Sequence, residues 1–347
     1  MGPGGHKGDR GLGAMGESGA VVEVRAAARL HLGFLDPAGD LGRRFLGLGL
    51  AVDRPRTVLR ARRATRTAVR GPEADRTARI LGRLRPLFGT FPVEIEVLRA
   101  IPPHAGFGSG TQLTLAVGRA LAALAKRPFD AQEVARLALR GRRSGLGIAA
   151  FERGGFLLDA GKGDDDRPPP LLARLRFPAD WRVLLLRDPA REGLSGEAED
   201  QAFRELPPFP GDLAARLARL ALSCVLSGVA LADLALFGRG IREIQDRLGD
   251  WYAPFQGGRR WASPLVGAAL DHLRAGGVPA SGQSSWGPTG FAVVPASAAR
   301  SLRAELRRRF PGLQVDIARG RAGGARLRVL DGRTAALATA HTDAEMV

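Results

Sequence analysis

The sequence predicts an α+β fold that changes character near Gly193. Three features carry that prediction. Period-two alternation marks strands, most clearly over residues 92–100, where Val93, Ile95 and Val97 alternate with Glu94 and Glu96. Apolar, alanine-rich stretches mark helices at residues 110–126 and across most of 212–248. Residues 291–330 read strand–helix–strand–strand, an α+β ending rather than a repeating βαβ one. A chain of 347 residues supports one large or two medium domains. The expected division is a disordered tail over 1–20, a first lobe over 21–190, a second over 191–335 and a C-terminal tail over 336–347.

Taken in order, residues 21–32 alternate as a strand, with His31 on the face opposite Leu30 and Leu32. Residues 33–42 hold Gly33, Asp36, Pro37, Gly39 and Asp40, all turn formers, and read as a loop. Strands follow at 46–52 and 57–63, then a helix at 74–87 and the half-exposed strand at 92–100. A glycine-rich loop, 101–112, runs into the helix at 110–126, and a second helix at 131–140 leads to Gly141-Arg-Arg-Ser-Gly-Leu-Gly147. A third, short helix precedes strands at 154–159 and 181–187, which flank an acidic, proline-rich loop at 162–170. Beyond 248, helices are expected at 264–275 and 297–309, strands at 291–294, 313–318 and 325–330, and a polar loop at 281–290. Residues 320–345 read as a hairpin followed by a tail.

Composition excludes several classes. The chain has 52 Lys+Arg against 35 Asp+Glu, a net +17 and a pI near 11.5. Only three of those cations are lysines (Lys7, Lys126, Lys162), and the arginines are spread along the chain rather than gathered in a tail. Aromatic residues make up 6%, too few for a base-stacking platform, so nucleic-acid binding is not expected. A small, multiply phosphorylated substrate uses such charge equally well. The single cysteine, Cys224, excludes an intrachain disulfide framework and fits a reducing compartment. With no signal-like segment in 1–20 and no uncharged apolar run of about 18 residues, a cytoplasmic protein without membrane contact is expected.

The 101–112 segment is the sharpest chemical feature. Gly106, Gly108 and Gly110 alternate through a turn and let the backbone approach a ligand closely. The helix behind them offers free N–H groups and a positive dipole end, a seat for phosphate. Ser109 and Thr111 add hydroxyls, and His104 is either a base or a turn residue. No Gly-Lys-Ser/Thr follows, so this is not a Walker A loop. In the 141–147 loop, Arg142, Arg143 and Ser144 either grip an anion or are solvated. Ser195 falls in a turn, and Glu197 and Glu199 begin a helix, where they favour the dipole or hold a hydrated Mg2+. Gln283, Ser284, Ser285 and Thr289 either line a pocket with Trp286 or form a turn pinned by that tryptophan. One cysteine and scattered histidines exclude a zinc site.

Five stretches together carry a resemblance. They are Ala28-Arg-Leu-His-Leu-Gly-Phe-Leu-Asp36; residues 101–112; Arg143-Ser-Gly-Leu-Gly-Ile148 with Phe151 and Gly154-Gly155; Gly193-Leu-Ser-Gly196 with Glu199 and Phe203; and Gly282-Gln-Ser-Ser-Trp-Gly-Pro-Thr289. Pro102-Pro-x-x-Gly-Phe-Gly-Ser-Gly110 resembles the phosphate loop of the galactokinase/homoserine kinase/mevalonate kinase (GHMP) superfamily. The full set resembles its β-ribofuranosylaminobenzene 5′-phosphate synthase family.

The resemblance implies a two-lobed GHMP-kinase-like α+β fold, with the phosphate loop in an N-terminal α/β lobe and a ferredoxin-like C-terminal lobe. It implies a transferase that joins 4-aminobenzoate to 5-phospho-α-D-ribose 1-diphosphate, releasing CO2 and pyrophosphate, early in tetrahydromethanopterin biosynthesis. Mg2+ is the implied metal and a homodimer the implied assembly. On this reading Gly106, Gly108, Ser109, Gly110, Thr111, Gln112, Arg29, Arg143 and Ser144 bind phosphate or pyrophosphate. Gln283, Ser284, Ser285, Trp286 and Thr289 bind the aminobenzoate. His31, Asp36 and Glu199 are the catalytic candidates, with Asp36 or Glu199 as metal ligand. The alternative is an ATP-dependent small-molecule kinase of the same superfamily. Against it, Lys126 and Lys162 lie outside every motif, so a kinase-style lysine beside a catalytic aspartate is missing.

Overall fold

The computed structural model describes residues 20–194 and 196–330; Ser195, the C-terminal tail and all but the last residue of the N-terminal tail lie outside the described residues. In chain order the elements of the first half are β1 (Val21–Asp36), β2 (Phe45–Arg63), β3 (Ala68–Arg70), α1 (Ala74–Phe88), β4 (Val93–Arg99), α2 (Ser109–Leu124), α3 (Ala131–Leu137), α4 (Leu146–Glu152), β5 (Phe156–Asp159) and β6 (Leu171–Leu175). The second half continues with β7 (Trp181–Arg187), α5 (Glu197–Glu205), α6 (Gly211–Leu220), a π-helical stretch (Ala221–Leu226), α7 (Ser227–Leu231), α8 (Leu234–Tyr252), α9 (Pro264–Ala275), β8 (Ala280–Gln283), β9 (Gly290–Pro295), α10 (Ala299–Arg309), β10 (Gln314–Ala318) and β11 (Arg326–Leu330).

Seven strands form the first sheet, in the order β11-β1-β2-β4-β3, with β5 on β2 and β6 on β5. Its length comes from β1 and β2, each longer than the sequence suggests. The two expected strands at 46–52 and 57–63 are one, because pairing of Ala26 with Thr57 and Ala27 with Arg56 carries the ladder through the polar middle. The turn formers at 33–36 likewise join β1, through Phe34 opposite Gly47 and Asp36 opposite Phe45. Of the hairpin expected at 320–345, the described part holds β11, which pairs with β1, Val22 opposite Val329; the remainder lies outside the described residues. On this sheet lie α2, apolar nearly all round, and α4 beside it, while α1 and α3 pack against α2.

The second sheet has the order β10-β7-β9-β8, antiparallel throughout. Its chain order, strand–helices–strand–strand–helix–strand, is the ferredoxin-like arrangement expected. The start of the expected 281–290 loop is itself strand β8, buried between β9 and α8. By length and composition the helical run Gly211–Leu231 is apolar enough to cross a membrane, although Asp212, Arg216 and Arg219 interrupt it, so it is not the uncharged run whose absence the sequence showed. Here it seats Leu217, Leu220, Val225 and Val229 in the core, while Arg216 pairs with Glu243 of α8.

One apolar cluster spans both sheets, joining Leu30, Leu48 and Phe156 of the first to Val183, Leu185 and Phe291 of the second, with Phe237 and Ile241 of α8. Each such buried side chain contributes about 1.5–3 kcal/mol. The two lobes therefore share a core. The seam between them is fixed, and the glycine-rich turn sits on it.

Candidate active site

Three hydrogen bonds shape the turn ahead of α2. The Arg29 N–H donates to the Phe107 carbonyl at 3.1 Å. Arg29 Nη1 (2.9 Å) and the Ser284 hydroxyl (2.7 Å) both donate to the Gly106 carbonyl. The first strand and the second lobe thus both hold the Gly106 carbonyl. Gly106 has φ +80°, and a Cβ there would lie 2.6 Å from the Ser284 carbonyl oxygen, so no other residue fits. Gly108, at φ +72°, starts α2 with no side-chain cap. The first N–H groups of α2, from Ser109 to Thr111, consequently point out of the helix end with its positive dipole.

Three guanidinium groups surround that helix end. A Cβ at Gly108 would meet Arg29 Cζ at 3.1 Å; one at Gly110 would meet Arg76 Nη2 at 2.5 Å and Arg140 Cζ at 3.1 Å. Arg76 projects from α1 and is held by Glu73 at 3.2 Å. Burial lowers the Arg29 guanidinium to about 10, against the pull of Glu199, and it remains charged at neutral pH. Burial, reinforced by the positive charges of Arg76 and Arg83, lowers Arg140 as well. Both Arg29 Nε and Arg140 Nε are buried without a hydrogen-bond partner. Such a cluster of cations is unfavourable by itself and favourable around an anion.

These groups open onto a cavity of about 360 Å³, whose far wall is Leu194, Gly196, Glu199, Ser285 and Trp286, with His104 exposed at its rim. Glu199 is carried by the first turn of α5 and meets Arg143 at 2.5 Å; Arg143 also pairs with Asp200 and lies over the Phe203 ring at 4.8 Å. Burial raises the Glu199 carboxyl, and Arg143 and Arg29 oppose that shift. Trp286 is backed by Tyr252 at 4.3 Å and Phe203 at 5.3 Å between ring centroids. Its indole N–H is buried and unpartnered.

The structure brings together Arg29, Gly106, Gly108, Ser109, Gly110, Thr111, Glu199, Ser285 and Trp286 from the expected set. The others lie outside the cavity lining. Asp36 accepts the Gly39 N–H at 2.8 Å and closes a turn, so Glu199 is the candidate carboxylate at the cavity and Asp36 is not. Ser144 donates to Asp159 at 2.7 Å, and Gln112 donates to the Gly147 carbonyl at 2.8 Å. Gln283 is engaged by Gln256, Ala262, Gln245 and its own turn at Ser285. Ser284 braces Gly106, and Thr289 is buried behind it, its N–H-accepting carbonyl on Ser284. Arg143 reaches the cavity only through Glu199.

His31 is buried beside it, its ring centroid 4.3 Å from that of Phe34, its Nε2 without a partner. Burial, then Arg29 and Arg143, push the imidazole well below its ordinary value, so it is neutral at pH 7. Sequence reasoning missed Arg76 and Arg140. Nothing in their local pattern separates them from the many other arginines; only the fold gathers them at Gly110.

The GHMP kinases N-terminal domain matches residues 75–155. The chain is 29% identical over 304 residues to a β-ribofuranosylphenol 5′-phosphate synthase of Methanothermobacter thermautotrophicus, covering 79% of this chain and 89% of that one. It is 31% identical over 299 residues to the protein of the same name from Archaeoglobus fulgidus, covering 82% and 92%. Among solved structures it resembles homoserine kinase from Cytophaga hutchinsonii, with a TM-score of 0.63 at 20% identity over 92% of this chain and 100% of that one. That likeness shows the shared two-lobed fold.

Proposed function

Because the chain belongs to the β-ribofuranosylphenol 5′-phosphate synthase family, we propose that it transfers the phosphoribosyl group of 5-phospho-α-D-ribose 1-diphosphate to the ring carbon of a para-substituted benzoate. CO2 and pyrophosphate leave. The sequence reading favours 4-aminobenzoate; the relatives' name places a phenol in their product, which corresponds to a hydroxyl at the same ring position. Either substituent pushes electron density to the carbon that bears the carboxylate.

The observation that carries this reading is a single cavity joining an uncapped helix end, three guanidinium groups and an aromatic wall. The diphosphate sits on the N–H groups of Ser109, Gly110 and Thr111, with Arg29 beneath. As the C1′–oxygen bond breaks, charge builds on the departing diphosphate where fixed donors already point. The acceptor ring lies along the Trp286 side and its carboxylate-bearing carbon forms the new bond to C1′. Loss of CO2 from that carbon returns the bonding electrons to the ring and restores aromaticity. Positioning and exclusion of water supply the rate, and no covalent enzyme intermediate is needed.

The residues also accommodate a divalent cation. Among the described residues no group of three or more His, Cys, Asp or Glu gathers as a metal site. The cavity offers one carboxylate, Glu199, which suits Mg2+ that arrives largely hydrated on substrate phosphates. Held there by Glu199 together with the substrate phosphates, Mg2+ would neutralise charge on the leaving diphosphate. His31, neutral and behind the turn, fixes the Ser284–Ser285 segment through its backbone: its N–H donates to Ser284 Oγ at 2.9 Å and its carbonyl accepts from Ser285 at 3.2 Å.

Incubation with the sugar diphosphate, Mg2+ and carboxyl-labelled 4-aminobenzoate or 4-hydroxybenzoate tests the proposal. Equal yields of labelled CO2 and pyrophosphate are expected with at least one acceptor. Release of neither product from both acceptors would reject it. The kinase alternative is not favoured: no lysine lines the cavity, and the relatives named above are synthases.

A further inference from the structure

The cations around the helix end fall into two groups, and these differ in their surroundings. In one, Arg29 lies under Gly108 and feels the charge of Glu199, with Trp286 nearby. In the other, Arg76 and Arg140 converge on Gly110 from α1 and from the segment after α3. In this second group Arg76 pairs with Glu73, whereas Glu199 acts on Arg29. We propose that Arg76 and Arg140, beside Gly110, form a separate seat for the 5-phosphate of the sugar donor, while Arg29, beside Gly108, serves its diphosphate. This assignment rests on the synthase reading of the site.

Connectivity of the donor supports the division. Its diphosphate hangs on C1′, the carbon that meets the acceptor, so the diphosphate, any cation it carries and the acceptor must share one end. Glu199 and Trp286 mark that end. The 5-phosphate projects from the other side of the ribose ring, towards the remaining cations. Two guanidinium groups against the single carboxylate of Glu73 leave net positive charge there, and Arg140 Nε is a buried donor with no protein partner. Gly110 completes the seat, since any Cβ would occupy the space where both arginines approach. Guanidinium forks bind phosphate oxygens two at a time, which a point charge does not reproduce.

The test is calorimetry on the full chain with ribose 5-phosphate and, separately, inorganic pyrophosphate with Mg2+. Arg140→Gln and Arg76→Gln should each weaken ribose 5-phosphate by about tenfold or more while leaving pyrophosphate within about twofold, the scale of one charge-assisted hydrogen bond. Arg29→Gln should do the reverse, and Arg140→Lys should recover only part of the loss. Urea unfolding midpoints identify any variant that has lost its fold; Arg76, half-exposed on α1, gives the second readout if Arg140 variants do not fold. Equal loss of both ligands by folded Arg76 and Arg140 variants, or loss of pyrophosphate alone, would overturn the assignment. If ribose 5-phosphate shows this arginine dependence but the chain releases no CO2 with either acceptor, the seat stands and the synthase reaction falls. If CO2 is released while both variants bind ribose 5-phosphate normally, the reaction stands and the seat falls.

Discussion

Arg143 and Glu199 meet at 2.5 Å and fasten the first turn of α5 to the loop ahead of α4. Asp200 takes the same guanidinium, and Phe203 lies beneath it. Charge neutralisation here has a functional consequence: Arg143, expected to grip a phosphate, is paired with Glu199, the carboxylate that lines the cavity.

The pH profile follows from that pair. Burial raises Glu199 above the ordinary carboxylate value, and Arg143 is the largest influence restraining it. Ionised Glu199 is therefore lost as pH falls through a value higher than that of a free glutamate. Removing Arg143 releases the restraint, so Arg143→Met should move the acidic limb of kcat/KM to higher pH. An acidic limb that stays where it was would separate Glu199 from the reaction.

The helix end should respond to steric change more than to loss of one hydroxyl. Gly110→Val places a side chain where Arg76 and Arg140 approach and should lower kcat/KM for the sugar diphosphate about 100-fold, as expected for misplacement near 1 Å. Ser109→Ala removes one hydrogen-bonding group and should lower it about tenfold. Steady-state kinetics alongside unfolding curves will separate activity from stability, and kinetics like the parent's in both variants would remove the turn from the mechanism.

Asp159 governs stability rather than chemistry. It accepts hydrogen bonds from Gly47 at 2.8 Å, Ser144 at 2.7 Å, Gly145 at 2.9 Å and Gly161 at 3.0 Å, the three backbone bonds being buried. Asp159→Ala strands these donors and should cost at least about 3 kcal/mol in urea unfolding. Ser144→Ala should shift stability and leave the KM of both substrates unchanged; a raised KM for the donor would restore Ser144 as a ligand group.

The polar loop of the second lobe divides in the same way. Gln283 links Gln245, Gln256 and Ala262, so Gln283→Leu should lose about 2–4 kcal/mol of stability. Trp286→Phe keeps an aromatic wall but removes the unpartnered N–H. It should raise the KM for the benzoate several-fold with little change in unfolding. The opposite pattern would make Trp286 a core residue and nothing more.

How far the sequence reached is visible in these same residues. Alternation, glycine spacing and the run 282–289 located the strands, the turn and the loop that meets it, because each is written in contiguous residues. What stayed hidden depends on partners distant in the chain. The polar middle of β2 is a strand only because β1 runs beside it. Ser144 and Gln283 look like ligand groups until Asp159 and Gln256 appear next to them. Arg76 and Arg140 are two arginines among many until α1 and the end of α3 converge on Gly110.

The most direct test is a crystal structure with the sugar diphosphate, or pyrophosphate and Mg2+, bound. The diphosphate is expected on the N–H groups of Ser109, Gly110 and Thr111, within reach of Arg29 and Glu199. Density for it elsewhere, as in the arginine-lined cleft of Arg54, Arg182, Arg300, Arg303 and Arg319, with the glycine turn empty, would contradict the account.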